Sequence, residues 1–220
     1  GGYFYPEDAQ VDNRALLQAL RSGAQDLGIT LQSGVSVEGF IQKQDRVIGL
    51  RTSAGEKRAG HYVLATGAWS SELLPVPVTP RKGQMASVRV PPGSGNVQPL
   101  RQVLYGEHIY IVPRRDGRII IGATVEDVGF TPNNTPAGIT QILKGAIALY
   151  PELATFPIEE IWWGYRPATP DELPILGPGP CKNLTLATGH YRNGILLAPI
   201  TARLIAEHIQ GKTDPLLNAF

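Results

Sequence analysis

Apolar residues recur every three or four positions in three stretches of the chain, which is the spacing of one face of an α-helix. At the first stretch, Asp12 stands where a capping residue would bind free backbone N–H groups, and Gly28 stands where a helix commonly ends. The pattern predicts helices over residues 12–27, 135–151 and 195–211.

Shorter runs rich in β-branched residues lie between these helices and are bounded by turn-forming residues. Strands are predicted over residues 35–41, 46–52, 61–66, 79–90, 102–113, 118–124, 158–167 and 183–188, the first three as one meander. The dipeptide Asp116–Gly117 is typical of a tight hairpin, and the proline-rich segment 168–180 predicts a loop. Because strands outnumber helices and follow one another in hairpins, we predict an α+β fold on a largely antiparallel sheet.

Charge and cysteine content narrow the class of protein. The chain has 20 Lys and Arg residues against 19 Asp and Glu, a net charge of +1, so we expect no nucleic-acid partner. Cys181 is the single cysteine, which excludes an internal disulfide framework, and the four histidines are too scattered to indicate a metal site. No apolar run reaches the roughly 20 residues of a membrane span. We therefore expect a soluble, cytoplasmic protein without metal, and the sequence leaves a homo-oligomer open.

Polar residues 190–193, His-Tyr-Arg-Asn, stand between two glycines and directly before the last predicted helix. If the helix begins near Ile195, this segment exposes backbone N–H groups at a positive helix end, which favours an anion or a polarised carbonyl. Gly194 would let a flat ligand approach the backbone. The alternative is a polar turn in which His190 and Arg192 bind neighbouring carbonyl groups.

Arg166 follows an aromatic strand and precedes a proline, which restricts the arginine backbone to an extended path. An arginine leaving a sheet in this way could hold a carboxylate through two parallel hydrogen bonds. The alternative is a structural ion pair with Asp171 or Glu172.

Strand alternation in the segment His-Ile-Tyr-Ile predicts that His108 and Tyr110 share one face and Ile109 and Ile111 the other. A histidine and a tyrosine on one face could line a pocket. They could equally lie on a sheet surface with their polar ends in water.

Small residues follow the strand predicted over residues 61–66. Ala65, Thr66 and Gly67 would admit a closely packed ligand, although close packing of the backbone alone would also account for them.

Five motifs, taken in order, resemble those of the FAD-dependent D-amino-acid oxidase superfamily, and among its members the glycine oxidases. The motifs are YVLATGAWS, TPRKGQ, YIVPRRDGRIIIGAT, WWGYRPATPDELPILG and ATGHYRNGILLAP. The resemblance covers essentially the whole chain. It implies a flavoprotein that oxidises glycine or another small amino acid to an imino acid, with O2 converted to hydrogen peroxide, in thiamine biosynthesis.

The resemblance also implies roles for matching residues. Arg166 would pair with the substrate carboxylate, which Tyr110 and Arg192 would also bind. His108 and Val125 would line the substrate pocket. The residues expected to contact FAD are Val35, Gly67, Gly189, His190, Tyr191, Arg192, Asn193, Gly194, Ile195 and Leu196.

In this interpretation the segment before the last helix presents N–H groups to the flavin C2 carbonyl and stabilises the negative charge that builds on the ring. The resemblance implies hydride transfer from the substrate α-carbon to flavin N5, with the amine neutral. No strong base is then required, because positioning and electrostatics carry the rate.

Two departures from the superfamily pattern matter. Val125 stands where glycine oxidases have methionine, which leaves sarcosine oxidase or D-amino-acid dehydrogenase activity open. The strand, Gly-x-Gly-x-x-Gly turn and helix that hold the FAD pyrophosphate have no counterpart in the sequence. We therefore expect this chain to be the C-terminal part of such a protein. The alternative to a catalytic role is that the chain is a non-catalytic fragment that does not hold FAD.

The resemblance gives a domain prediction as well. Residues 1–75 and 180–220 would belong to a Rossmann-like FAD-binding domain, and residues 76–179 to a substrate-binding domain with an antiparallel sheet.

Overall fold

The structure is a computed structural model that describes residues 2–91, 99–212 and 214–219. Its α-helices are α1 (Asn13–Asp26), α2 (Ser70–Leu73), α3 (Pro136–Leu149) and α4 (Gly194–Ile209). Its strands are β1 (Val37–Lys43), β2 (Arg46–Thr52), β3 (Gly55–Lys57), β4 (Tyr62–Leu64), β5 (Thr79–Arg89), β6 (Leu104–Tyr105), β7 (Tyr110–Pro113), β8 (Arg118–Gly122), β9 (Ile158–Ala168), β10 (Ile175–Pro178) and β11 (Leu184–Thr188).

The three helices predicted from apolar spacing are confirmed as α1, α3 and α4, with ends within two residues of the prediction. Two of them begin at side-chain caps. The Asp12 carboxylate accepts hydrogen bonds from two first-turn amides of α1, and the Thr135 hydroxyl accepts one from the Gly138 amide of α3. Local capping chemistry therefore fixes where these helices start.

The strands form three sheets. β1, β2 and β3 pair in order, β10 and β4 flank β11, and a five-stranded sheet has the order β6-β7-β8-β5-β9. Every neighbour pair whose register is established is antiparallel except β11 with β4, so the α+β prediction with a largely antiparallel sheet is confirmed.

Three local predictions were wrong. The third strand of the meander is β3, in a segment expected to turn, whereas β4 leaves the meander and pairs with β11. β10 lies inside the proline-rich segment 168–180 because β11 supplies its hydrogen-bond partners. The strand predicted over 102–113 is interrupted after β6, where the Gly106 amide donates to the Ile109 carbonyl and turns the chain.

Two compact units divide the chain. Among the described residues, the first unit holds those within 2–31, 83–126 and 131–164. Its core packs strand residues such as Ile111, Ile119 and Ile121 with Ile142 of α3, all almost fully buried. Burial of these branched side chains supplies the main driving force for this unit.

The second unit holds residues within 32–82, 127–130 and 165–219. One of its cores contains Leu64 of β4 and Leu186 of β11. Asn183 binds the β2 edge of this core, since its buried side-chain amide donates to the carbonyl of Val47 and accepts from the Val47 amide, both at 2.9 Å.

The boundaries of the compact units differ from the predicted domain boundaries. The division into an FAD-binding and a substrate-binding domain stays a prediction. In the described part of the chain, every helix is too short or too polar to cross a membrane.

Candidate functional site

The carboxyl ends of two neighbouring parallel strands lie at one edge of the small sheet in the second unit. β11 pairs with β4 in the register that sets Leu186 opposite Leu64. Residues 65–67 follow β4 and residues 189–193 follow β11, so both loops leave the sheet at the same edge. Ligands of α/β proteins commonly bind outside such strand ends.

Buried hydroxyl groups join these two loops. Ser70 Oγ donates to the Gly67 carbonyl oxygen at 2.7 Å and lies 2.6 Å from Thr188 Oγ1. Both side chains are almost completely buried, so each bond is shielded from water. The sequence analysis missed Ser70 and Thr188, and the only available signal was a hydroxyl residue near the end of each buried strand, Thr188 as the last residue of β11 and Ser70 six residues after β4.

A cleft of about 540 Å³ opens beside the strand ends, a volume typical of small-molecule sites. Small residues make up much of its wall, and His190 is its only ionisable lining residue among the residues that the structure describes. Its lining residues are Ala65, Gly67, Pro167, Ala187, Thr188, His190, Gly194, Ala198, Thr201, Ala202, Ile205, Ala206 and Ile209. A flat, largely apolar group could enter such a cleft.

Helix α4 begins at Gly194 beside this cleft, and no side chain caps its first turn. Uncapped N–H groups at the start of a 16-residue helix carry partial positive charge, which attracts an anion or a polarised carbonyl. Ile195 and Leu196 are exposed at the same helix end. This end therefore offers hydrogen-bond donors next to apolar surface.

His190 is half-buried and its Nε2 lies 3.0 Å from the Thr201 hydroxyl of α4. Loss of hydration on burial lowers the pKa of the imidazole below its usual value of 6.5. A neutral ring bonded to the helix holds the loop in place. Asn193, which ends this loop, is exposed.

The two predicted substrate-binding arginines, Arg166 and Arg192, lie on adjacent chain segments of the second unit. The Tyr191 amide donates to the Pro167 carbonyl at 2.9 Å, so the loop before α4 runs along the end of β9. Arg166 precedes the accepting residue and is half-buried, whereas Arg192 follows the donor and is exposed. The structure thus brings the backbone segments of the two arginines together, and the shared carboxylate predicted for them stays a prediction.

Tyr110 begins β7 in the first unit and is half-buried. Its hydroxyl lies 3.9 Å from the Met85 sulfur, and its ring centroid lies 6.0 Å from that of Tyr105. Ile109, just before β7, and Ile111 within it are both buried in the core of this unit.

His108 lies in the bend before β7 rather than in the strand, so the alternation predicted for it was wrong. Its side chain is 80% exposed and Nε2 lies 3.5 Å from the Glu107 carboxylate. Val125 follows β8 and is 56% exposed. Val35 is half-buried just before β1.

Comparison with known proteins places these features in a family. The sequence model of the FAD-dependent oxidoreductase family, DAO, matches residues 1–208. The chain is 65% identical over 221 residues to the bifunctional protein ThiO/ThiG of Trichormus variabilis, covering 100% of this chain and 34% of that protein. It is 38% identical over 217 residues to a glycine oxidase of Pseudomonas aeruginosa, covering 96% of this chain and 58% of that protein.

Solved structures give the same result. The crystal structure of a glycine oxidase from Bacillus cereus superposes with a TM-score of 0.87 at 33% identity, covering 97% of this chain and 60% of that one. The chain thus spans between a third and three-fifths of the length of these relatives. With a family model matching nearly its full length, the chain belongs to the FAD-dependent oxidoreductase (DAO) family.

Proposed function

We propose that the protein containing this chain is an FAD-dependent oxidase of glycine or another small amino acid. The observation that carries the proposal is the bond from the Tyr191 amide to the Pro167 carbonyl, which sets Arg166 and Arg192 on adjacent segments. The relatives named glycine oxidase make an amino acid the natural ligand for this pair.

FAD fits the residues of the second unit. The uncapped start of α4 suits the polarised carbonyl of a flavin, and the cleft lined by small residues suits its flat ring. We assign the flavin contacts to residues 189–196 and Gly67, and an adenine-side contact to Val35 by motif resemblance. The chemistry supplied by bound FAD is oxidation, with hydride accepted from the substrate α-carbon and O2 reduced to hydrogen peroxide.

The residues of this chain bind and orient the substrate. Arg166 and Arg192 hold its carboxylate, and the α4 N–H groups stabilise negative charge on an adjacent acceptor. The imidazole of His190 is bonded to Thr201, so it serves to position the loop and no residue is assigned as a base. The amine must therefore arrive in its neutral form. The roles of Tyr110 and His108 rest on motif resemblance.

Val125 favours a second candidate substrate class. Val125 is exposed, and its side chain is shorter than the methionine of glycine oxidases, so we expect it to admit an N-methyl group or a small α-substituent. Sarcosine or D-alanine is therefore the alternative substrate, with O2 or a quinone as electron acceptor. We place the reaction in thiamine biosynthesis in the cytoplasm, as the resemblance to glycine oxidases implies.

The test uses the protein in its full length, assayed for hydrogen peroxide with glycine, sarcosine and D-alanine. In the Arg166→Ala variant we expect KM to rise roughly tenfold to a hundredfold, because charge-assisted hydrogen bonds contribute about 1.5–3 kcal/mol each. The control is Arg203→Ala, which removes an exposed α4 arginine whose ion pairs with Glu207 and Asp214 are outside the cleft. Equal KM values for the two variants would refute the carboxylate assignment.

A further inference from the structure

Gln84 of β5 is fully buried in the first unit, and its side-chain amide is fully engaged. Nε2 donates to Glu126 Oε1 at 2.8 Å and to Thr135 Oγ1 at 3.1 Å, while Oε1 accepts from the Thr135 amide at 2.7 Å. Both amide hydrogens and the amide oxygen therefore have partners. A buried amide satisfied in this way has one favourable orientation.

The backbone of Gln84 holds the other side of the same loop. Its amide donates to Thr124 Oγ1 at 2.8 Å, and its carbonyl accepts from the Thr124 amide at 3.2 Å. The Thr124 hydroxyl in turn donates to the Glu126 carboxylate. Thr124 and Glu126 flank Val125, so Gln84 fixes the chain on both sides of an exposed valine.

Helix α3 prevents the glutamine amide from turning away. A Cβ atom on Gly138 would lie 2.4 Å from Gln84 Nε2, so the helix approaches the amide as closely as a glycine permits. Thr135 Oγ1 accepts both from the Gly138 amide and from Gln84, which ties the start of α3 to the same amide. The position of Val125 is thus set by a rigid cluster rather than by its own loop.

We propose that Gln84 is a positioning residue for Val125 and thereby sets the discrimination between glycine and larger amines. This inference rests on the proposed function and on the motif resemblance that assigns Val125 to the substrate pocket. One methylene more or fewer on a substrate changes kcat/KM by about tenfold or more when an apolar pocket wall is held in place, so the position of Val125 matters for this discrimination.

The test compares two substitutions in the full-length protein. Gln84→Glu keeps the shape but replaces the donor with a carboxylate facing Glu126. We expect faster amide hydrogen exchange in residues 123–126 and a change of about threefold or more in the ratio of kcat/KM for D-alanine to that for glycine. The double variant Gln84→Glu/Glu126→Gln restores a hydrogen bond between positions 84 and 126, now with the residue-126 amide as donor. That amide nitrogen cannot accept from the Thr124 hydroxyl, so the ratio should return part of the way to that of the unsubstituted protein.

The matched control is Ile119→Val, which loses one methylene from the core of the same sheet and has no hydrogen bond to the loop. It should leave the ratio unchanged. A ratio unchanged in Gln84→Glu, or altered equally in the control, overturns the inference. A full-length protein that oxidises no amine refutes the proposed function. Amide hydrogen exchange in residues 123–126 then tests the positioning role of Gln84 by itself. Unchanged exchange in Gln84→Glu overturns that role, and exchange accelerated in Gln84→Glu but not in Ile119→Val supports it.

Discussion

Gly122 of β8 lies opposite Tyr110 of β7, and its missing side chain makes room for the tyrosine ring. A Cβ atom on Gly122 would lie 2.2 Å from Tyr110 Cζ, far inside contact distance. The ring therefore crosses the neighbouring strand and its hydroxyl reaches Met85 on β5, which is also opposite Gly122. A single glycine thus determines where a candidate substrate-binding side chain points.

Substitution Gly122→Ala should displace that ring and its hydroxyl. Overpacking of this kind typically costs about 1–3 kcal/mol, so we expect a lower melting temperature together with a KM for the amine raised severalfold. Gly23→Ala is the control. Gly23 lies in α1, and a Cβ atom there would meet no atom of another element within 4 Å. Thermal unfolding and steady-state kinetics of the full-length protein measure both effects. A variant that matches Gly23→Ala in both would show that the ring does not depend on Gly122.

Helix α1 depends on capping and ion pairs, because it contains no fully buried residue. The Asp12 carboxylate accepts from the amides of Arg14 and Ala15 at 3.0 and 3.1 Å and lies 3.2 Å from Arg118. Arg14 pairs with Glu160 at 2.8 Å. The Ala15 amide is the main cause of the lowered pKa of Asp12, and this opposes the effect of burial.

Asp12→Ala should therefore loosen α1, at a cost of about 1 kcal/mol for the lost cap. Asp12→Asn keeps an acceptor oxygen and should cost less. Because the folded pKa lies below 3.8, the stabilisation by Asp12 is complete above that pH and is lost as the pH falls through the folded value. The protection of the α1 amides against hydrogen exchange, relative to the unstructured rate at each pH, measures this loss of stabilisation between about pH 6 and pH 3. Equal exchange in Asp12→Ala and the unsubstituted chain at pH 6 would contradict the capping role.

At the scale of the whole molecule, strands distant in the chain complete the second unit. β4 and β11 are adjacent in space although about 120 residues separate them, and their ends carry the loops that bear Gly67 and His190. The candidate flavin site therefore exists only when the chain closes this pair. The sequence has no Gly-x-Gly-x-x-Gly turn to bind a pyrophosphate.

The 220-residue chain by itself should consequently retain little FAD after removal of unbound dye. The full-length protein is the comparison, since it should remain yellow under the same treatment. Absorbance at the flavin band after gel filtration measures retention. Retained colour with hydrogen peroxide release from the isolated chain would refute the fragment hypothesis.

Local chemistry explains what could be predicted. Helix α1 was predictable because Asp12, the leucine spacing and Gly28 act within a few residues of one another, and the β7–β8 hairpin because Asp116–Gly117 turns the chain locally. The strand β10 was not, because proline-rich sequence becomes a strand only when β11 supplies its partners.

The sequence by itself determined helices α1, α3 and α4, the hairpins β1–β2 and β7–β8 and the order of motifs that resembles the flavin oxidases, because these depend on neighbours along the chain. The tertiary structure alone decided that Tyr191 meets Pro167, that Gly138 approaches Gln84, and that β4 pairs with β11. Such contacts join residues tens of positions apart, and a non-local contact leaves no periodic signal in the sequence.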